Sequence, residues 1–199
     1  MKITCLNAWG GARFAELRSY LNHSAPDVLC LQEVVHTPST DREVLTYRDG
    51  EHVLPQRANL FREIAHALPD HVATFCPAAQ GVLWEGERAV PSQWGLATFV
   101  RHAFPVVAQH QGFVHKVYSP DGYGEHPRSR SAHAVRVFDH EQGRAVVVAH
   151  MHGLRDLRGK MDTPERAAQA RRFLAIVRHV AQPDDLVVAG GGFQCATGQ

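Results

Sequence analysis

Asn7 and Glu33 each follow a short apolar run, Ile3 to Leu6 and Val28 to Leu31. If those runs are neighbouring buried strands, the amide and the carboxylate meet at one sheet edge. A hard divalent cation such as Mg²⁺ takes oxygen ligands of this kind and leaves its other positions to water and phosphate. Further along, Val146-Val147-Val148-Ala149 runs into His150 and His152, which lie on one side of a strand because they are two apart. Two chemistries are open to them. Zinc would need at least a third protein ligand, and neither HExxH nor a cysteine pair stands nearby. Alternatively, a cationic imidazole can hydrogen-bond a phosphoryl oxygen as charge builds on it. Arg128, Arg130, His133 and Arg136 add positive charge suited to phosphate. Gly190 to Gly192 follow a strand as a phosphate loop would, but no Gly-Lys-Ser/Thr or GxGxxG continues them. Taken singly, each of these features has an ordinary structural explanation.

The elements that must position these groups follow from periodicity. Phe14, Leu17 and Leu21 fall at helical spacing, as do Phe61, Ile64, Ala65 and Leu68. Strands are predicted at 71–76, 95–101, 113–118, 132–138 and 144–149. Residues 36–58 hold Pro38, Asp49-Gly50 and Pro55 with no sustained period, and read as a surface excursion. A Gly- and Pro-containing loop is predicted from Ser119 to Arg130. The last helix should be capped by Thr163, with Pro164 at its first position and Glu165 at the positive dipole end. Its apolar face is read as Ala167, Ala170, Leu174, Val177 and Ala181. Asp184-Asp185 then leads into a strand at 186–189. Consecutive strands without intervening helices point to an α/β sandwich of mixed sheets and disfavour a dinucleotide fold.

Composition narrows the class. The chain has 199 residues, 44% of them apolar, with 21 Lys+Arg against 20 Asp+Glu and a net charge of +1. That suits one domain with a sizeable core and disfavours both disorder and a large duplex-DNA footprint. No secretory h-region and no run of about 18 apolar residues is present. Cys5, Cys30, Cys76 and Cys195 stand singly, as expected of reduced thiols in a cytoplasmic protein.

Taken in order, the segments resemble the endonuclease/exonuclease/phosphatase superfamily, over residues 2–191. Leu6-Asn7-Ala8-Trp9-Gly10 resembles its strand ending in Asn, and Asp27-Val28-Leu29-Cys30-Leu31-Gln32-Glu33 its Asp-x-x-x-Leu-Gln-Glu motif, the most specific match. Trp94 to Phe99 is similar to its Gly-x-Ala/Ser strand, and Ala149 to Leu154 to its Asn-x-His motif. Gly159 to Arg166 resembles the helix entry of a bacterial branch. The resemblance implies a four-layer α/β/β/α sandwich of two mixed sheets. It implies a metal-dependent phosphoesterase, with Asn7 and Glu33 on Mg²⁺ (Mn²⁺ as the alternative), His152 catalytic, and His150 and Arg130 binding phosphate. The substrate is a phosphoester, either a small molecule or nucleic acid, and no obligate protein partner is implied.

Where the family has Gly-Asp-Phe-Asn, this chain has Gly191-Gly192-Phe193-Gln194, and no Ser-Asp-His motif follows. Neither glycine nor glutamine can orient or deprotonate an attacking water as the family's Asp does. One inserted G before the Asp codon, in a string encoding Ala-Gly-Gly-Asp-Phe-Asn-Val-Leu-Pro-Asp-Ser, reproduces Ala189 to Gln199 residue for residue. Residues 192–199 are therefore read as a frameshifted tail on a domain, 1–191, that is incomplete at its C-terminal side. The expectation is weak or absent activity. The alternatives are a non-catalytic phosphate-binding or interaction module, or a poorly folded product with uncovered sheet edges.

Overall fold

Strand β1 (Ile3–Asn7) lies parallel to β2 (Val28–His36), in register from Ile3↔Val28 to Asn7↔Gln32, and helix α1 (Phe14–Ser24) makes the crossover between them. The run in β2 is continuously apolar because both of its faces are covered. Leu29 and Leu31 pack against Leu17 and Leu21 of α1 and against Leu60 and Ile64 of α2 (Leu60–Ala67). Val28 and Cys30 point the other way, into a layer shared with Val135, Val137, Val146 and Val148.

The computed structural model describes residues 1–155, 159 and 161–193. Among these, the first sheet has six strands in the order β1-β2-β6-β5-β3-β4, with β3 at Val44–Asp49, β4 at His52–Arg57, β5 at His71–Glu85 and β6 at Arg88–Arg101. The second has four strands, β10-β9-β8-β7, with β7 at Val106–His115, β8 at Arg130–Asp139, β9 at Arg144–His152 and β10 at Leu186–Gly192. Strands β9 and β10 run parallel, joined through α3 (Pro164–Val180), while the other pairs of this sheet are antiparallel. Phe173, Ile176, Val177 and Val180 of α3 cover the outer face through Val114, Ala132, Ala134, Val147 and Met151. The layers are α1 and α2, six strands, four strands, and α3: the predicted four-layer sandwich of two mixed sheets.

Several local expectations are corrected. Residues 36–58 are not a plain excursion, because β3 and β4 form a hairpin at the edge of the first sheet, turning at Gly50 with φ +56°. Edge strands need only one apolar face, so the period is weak. The hairpin β5–β6 continues far past the expected 71–76 and 95–101, as a ribbon paired from His71↔Arg101 to Glu85↔Arg88. Strand β7 begins earlier than the expected 113–118 and ends at His115.

Helix α3 has the predicted cap, with the Arg166 amide donating to Thr163 Oγ1 at 3.2 Å. Its buried face is Arg166, Gln169, Phe173, Ile176, Val177 and Val180, so of the predicted face only Val177 is buried. Leu174 is exposed. Phe173 and Ile176 bury more apolar area than the alanines, and that decides which way the helix rolls. At the open edge of the second sheet, Leu186, Val187 and Val188 of β10 are exposed.

Candidate active site

Asn7 ends β1, and Glu33 lies within the neighbouring β2, one residue past Asn7's partner in the register. Asn7 pairs with Gln32 across the parallel strands, and the Ala8 amide donates to the Gln32 carbonyl at 2.9 Å. Asn7 Oδ1 accepts from the Trp9 amide at 2.8 Å, which holds the amide plane at the strand end. Strand β2 does not stop at Glu33. Its register with β6 jumps from Leu31↔Ala97 to Val34↔Gly95, so Gln32 and Glu33 form a bulge. Glu33 adopts φ +56°, a left-handed conformation that costs a residue with a Cβ about 1–3 kcal/mol. The bulge breaks the in–out alternation of the strand and brings Glu33 Oε1 to 3.4 Å from His152 Nε2, across the gap between the sheets.

His152 ends β9 and is 4% exposed. Burial, reinforced by the charge of Arg130, pushes its pKa down to about 3, so its contact with Glu33 joins a carboxylate to a neutral ring. Among the described residues its Nδ1 is buried without a hydrogen-bond partner, while the Glu33 carboxylate facing Nε2 favours the proton there. Trp94 packs beside it, ring centroids 5.4 Å apart. Arg130, the first residue of β8 and 5% exposed, lies over the same indole at 5.2 Å. Its Nε donates to the Gly153 carbonyl at 3.0 Å and its terminal nitrogen to Ser129 O at 3.2 Å. Burial lowers its pKa to about 10, a fall that Glu33 opposes, so the guanidinium stays charged at neutral pH.

His150 faces the same way along β9 but lies deeper. It is 1% exposed, with Nδ1 3.2 Å from Gln32 Nε2 and Nε2 2.9 Å from Thr98 Oγ1. Neither nitrogen is free to meet a phosphoryl oxygen or a metal. The remaining basic residues of the segment are dispersed. Arg128 pairs with Asp49 at 2.8 Å, Arg136 with Asp185 at 2.7 Å, and His133 is buried under Thr98. His133 and Arg136, three apart in β8, face opposite sides of the sheet, and Arg128, which precedes the strand, is turned to Asp49, so these three form no basic patch. Trp94, Thr98 and Gln32 are the site residues that carried no assigned role in the sequence; the only signal was their place inside the Gly-x-Ala/Ser and Leu-Gln-Glu segments.

The donor set offered by Asn7 and Glu33, one amide oxygen and one carboxylate, suits a hard cation that shares its coordination with water and phosphate. Among the described residues, no three or more His, Cys, Asp or Glu side chains are grouped to hold a metal by themselves. With His150 consumed, the two-histidine zinc arrangement has lost a member.

Residues 5–193 match the Endonuclease/Exonuclease/phosphatase family. The chain belongs to that family. No curated protein matches it in sequence. Among solved structures it is similar to the Bacteroides thetaiotaomicron mannosyl-6-phosphatase Bt3783, with 11% identity and a TM-score of 0.63 over 98% of this chain and 65% of that one. It is also similar to D. rerio TDP2 complexed with single-strand DNA product, with 14% identity and a TM-score of 0.62 over 99% of this chain and 62% of that one. A third is ANGEL2, a 2',3'-cyclic phosphatase in complex with adenosine-2',3'-vanadate, with 18% identity and a TM-score of 0.58 over 92% of this chain and 44% of that one. The chain thus spans less than two thirds of the length of each.

Gly192 pairs with His152 across β9 and β10. Its carbonyl accepts from the Gly153 amide at 2.7 Å. Among the described residues, a Cβ built on Gly192 would meet only His152 Cδ2, at 3.5 Å. The two glycines before it have no such room: a Cβ on Gly190 would lie 3.0 Å from Cys5 Sγ, and one on Gly191 2.1 Å from the Met151 carbonyl. Gln194 and Cys195 lie outside the described residues.

Proposed function

We propose that this chain carries the site of a Mg²⁺-assisted phosphoesterase, with weak or no turnover while residue 192 is glycine. The observation that carries the reading is the convergence of Glu33, from the β2 bulge, with His152 and Arg130, from strand ends of the second sheet, 3.4 Å apart at its closest. Asn7 and Glu33 would hold the metal, with Mn²⁺ as an alternative ion. Bound there, the metal would offset phosphoryl charge and favour ionisation of a water.

The chain's own groups do the rest. Arg130 presents a fixed positive charge whose direction is set by Gly153, Ser129 and Trp94. His152, neutral, would donate a hydrogen bond from its Nε2–H to a phosphoryl oxygen as negative charge develops there. No side chain at residue 192 takes the proton from the attacking water, and the reaction stalls at that step. The glycine there equally favours a second reading, a module that binds a phosphoester and releases it unchanged.

A small phosphodiester is the substrate class proposed. Several arginines are committed to carboxylates of the chain: Arg57 to Glu63, Arg101 to Asp27, Arg128 to Asp49 and Arg136 to Asp185. With a net charge of only +1, the chain carries no large positive excess for tracking a duplex.

Titrating Mg²⁺ into the protein and into Glu33→Gln, and following hydrolysis of a bis-aryl phosphodiester, tests the assignment. Saturable Mg²⁺ binding that Glu33→Gln abolishes is expected, with turnover appearing only when Gly192→Asp is introduced. Equal Mg²⁺ binding by Glu33→Gln overturns the metal site. Substantial turnover by the unmodified chain overturns its description as inactive.

A further inference from the structure

Between the two sheets, beneath the site, runs a line of buried polar side chains that the proposed chemistry does not use. Gln32, Thr98, His133 and His150 are each 2% exposed or less. Gln32 Nε2 lies 3.5 Å from the Cys30 carbonyl and 3.4 Å from Cys5 Sγ, as well as 3.2 Å from His150 Nδ1. A carbonyl only accepts, so the atom facing it is the amide nitrogen, and His150 Nδ1 is an acceptor. A neutral imidazole then carries its proton on Nε2, which donates to Thr98 Oγ1 at 2.9 Å. Thr98 in turn has its own proton to give, and donates to His133 Nδ1 at 2.7 Å. Each member's direction is forced by the one before it. The line crosses from β2 to β9, back to β6 and on to β8.

Its first member adjoins the bulge. Glu33 is held at φ +56°, and such a conformation persists only where the surroundings over-determine it. On its N-terminal side the Gln32 carbonyl is held by the Ala8 amide at 2.9 Å, and the Gln32 side chain by His150.

We propose that Gln32, His150, Thr98 and His133 form a directed hydrogen-bond relay that joins the two sheets and locks the β2 bulge, so that His150 is a positioning residue that fixes Glu33 opposite His152. This rests on the preceding reading only in taking Glu33 as the carboxylate the site presents. It also gives the histidine at 150, where the family motif has Asn, a role that leaves phosphate contact to Arg130 and His152.

The test uses the whole chain. Long-range ¹H–¹⁵N spectra at neutral pH should show His150 and His133 both protonated on Nε2. Thr98→Val removes the hydroxyl at nearly constant volume. It should collapse the His133 preference and speed amide exchange at Glu33 and Val34 at least tenfold, with Val82 and Val90 in the β5–β6 hairpin unchanged. Thr98→Ser, which keeps the hydroxyl, should restore both readouts to within about twofold of the original. The relay is overturned by a proton on His150 Nδ1, by unchanged exchange at Val34 in Thr98→Val, by equal acceleration in the hairpin, or by Thr98→Ser behaving as Thr98→Val. If Thr98→Val fails to fold, the tautomers of the original protein and the Thr98→Ser exchange rates still decide. Loss of the Mg²⁺ reading would show separately, as amides that respond to Thr98 substitution but not to the metal.

Discussion

Gly192→Asp is the perturbation on which the structure speaks most directly. Among the described residues the introduced Cβ meets one atom, His152 Cδ2, at an ordinary van der Waals distance of 3.5 Å. Replacing a glycine whose conformation other residues can adopt gains about 0.4–1 kcal/mol through the unfolded chain. The poor strand propensity of Asp and the nearby Glu33 carboxylate offset that, so the net effect should stay within about 1 kcal/mol, or about 4 °C in Tm for a chain of this size. Gly191→Ala is the control. At φ +134°, with the Met151 carbonyl 2.1 Å from the new Cβ, it should cost about 3 kcal/mol and lower Tm by about 6–12 °C.

The carboxylate introduced at 192 would stand beside the His152 ring, where a general base can take the proton of the attacking water. Such a base contributes roughly 10²–10⁴-fold in rate, about 3–5 kcal/mol of barrier. Thermal unfolding of the two variants, followed by Mg²⁺-dependent hydrolysis of a bis-aryl phosphodiester, measures both effects. If Gly192→Asp loses as much stability as Gly191→Ala, the placement of β10 against β9 is wrong. If it folds, binds Mg²⁺ and gains no turnover, the catalytic assignment of this corner fails.

Gly153→Ala should cost about 2–3 kcal/mol, seen as a lower Tm, because its Cβ would lie 2.4 Å from the Gly192 carbonyl that its amide now holds; an unchanged Tm would contradict the β9–β10 junction. Arg130→Ala in the Gly192→Asp background should lower turnover by roughly 10²–10³-fold, the usual loss for one donor to a developing anion, and a change below threefold would remove Arg130 from the phosphoryl site. Stability should also fall as the pH drops below about 6.5, where these rings protonate in the unfolded chain. Burial holds His133 neutral down to about 4 and His150 down to about 3. The unfolded state therefore binds more protons across the intervening window, so stability rises with pH there, and each ring loses roughly 2 kcal/mol between pH 7 and pH 5. A Tm that is flat over that range would show the two rings to be accessible to protons in the folded state.

Much of the fold was legible because burial on two faces writes itself into composition. Val28 to Leu31 is apolar without alternation because α1 and α2 cover one side and the second sheet the other. Thr163, Pro164 and Glu165 marked the start of α3 because capping is a local matter of a few backbone groups. The hairpin β3–β4 and the outer halves of β5 and β6 were not legible. Their pairing satisfies backbone groups whatever the side chains, and an edge or ribbon strand leaves little apolar period to read. The roll of α3 was missed for a similar reason, since two large residues at Phe173 and Ile176 outweigh a stripe of alanines only once there is a sheet to pack against.

At the site, residue types and their order along the chain determined the chemistry on offer: an amide and a carboxylate from neighbouring strands, an imidazole and a guanidinium from the other sheet, and glycine where the family resemblance leads one to expect a base. The end of β1 at Asn7 could be read from its own few residues, but β2 does not end at Glu33 as expected: it continues through a bulge to His36. Only the tertiary structure decided which histidine is free. His150 and His152 are equivalent by spacing, yet one is bound from both sides by Gln32 and Thr98, and the other stands at the rim against Glu33. The partners that separate them come from strands 52 and more residues away along the chain, and a distinction made by such long-range contacts leaves no periodicity to read.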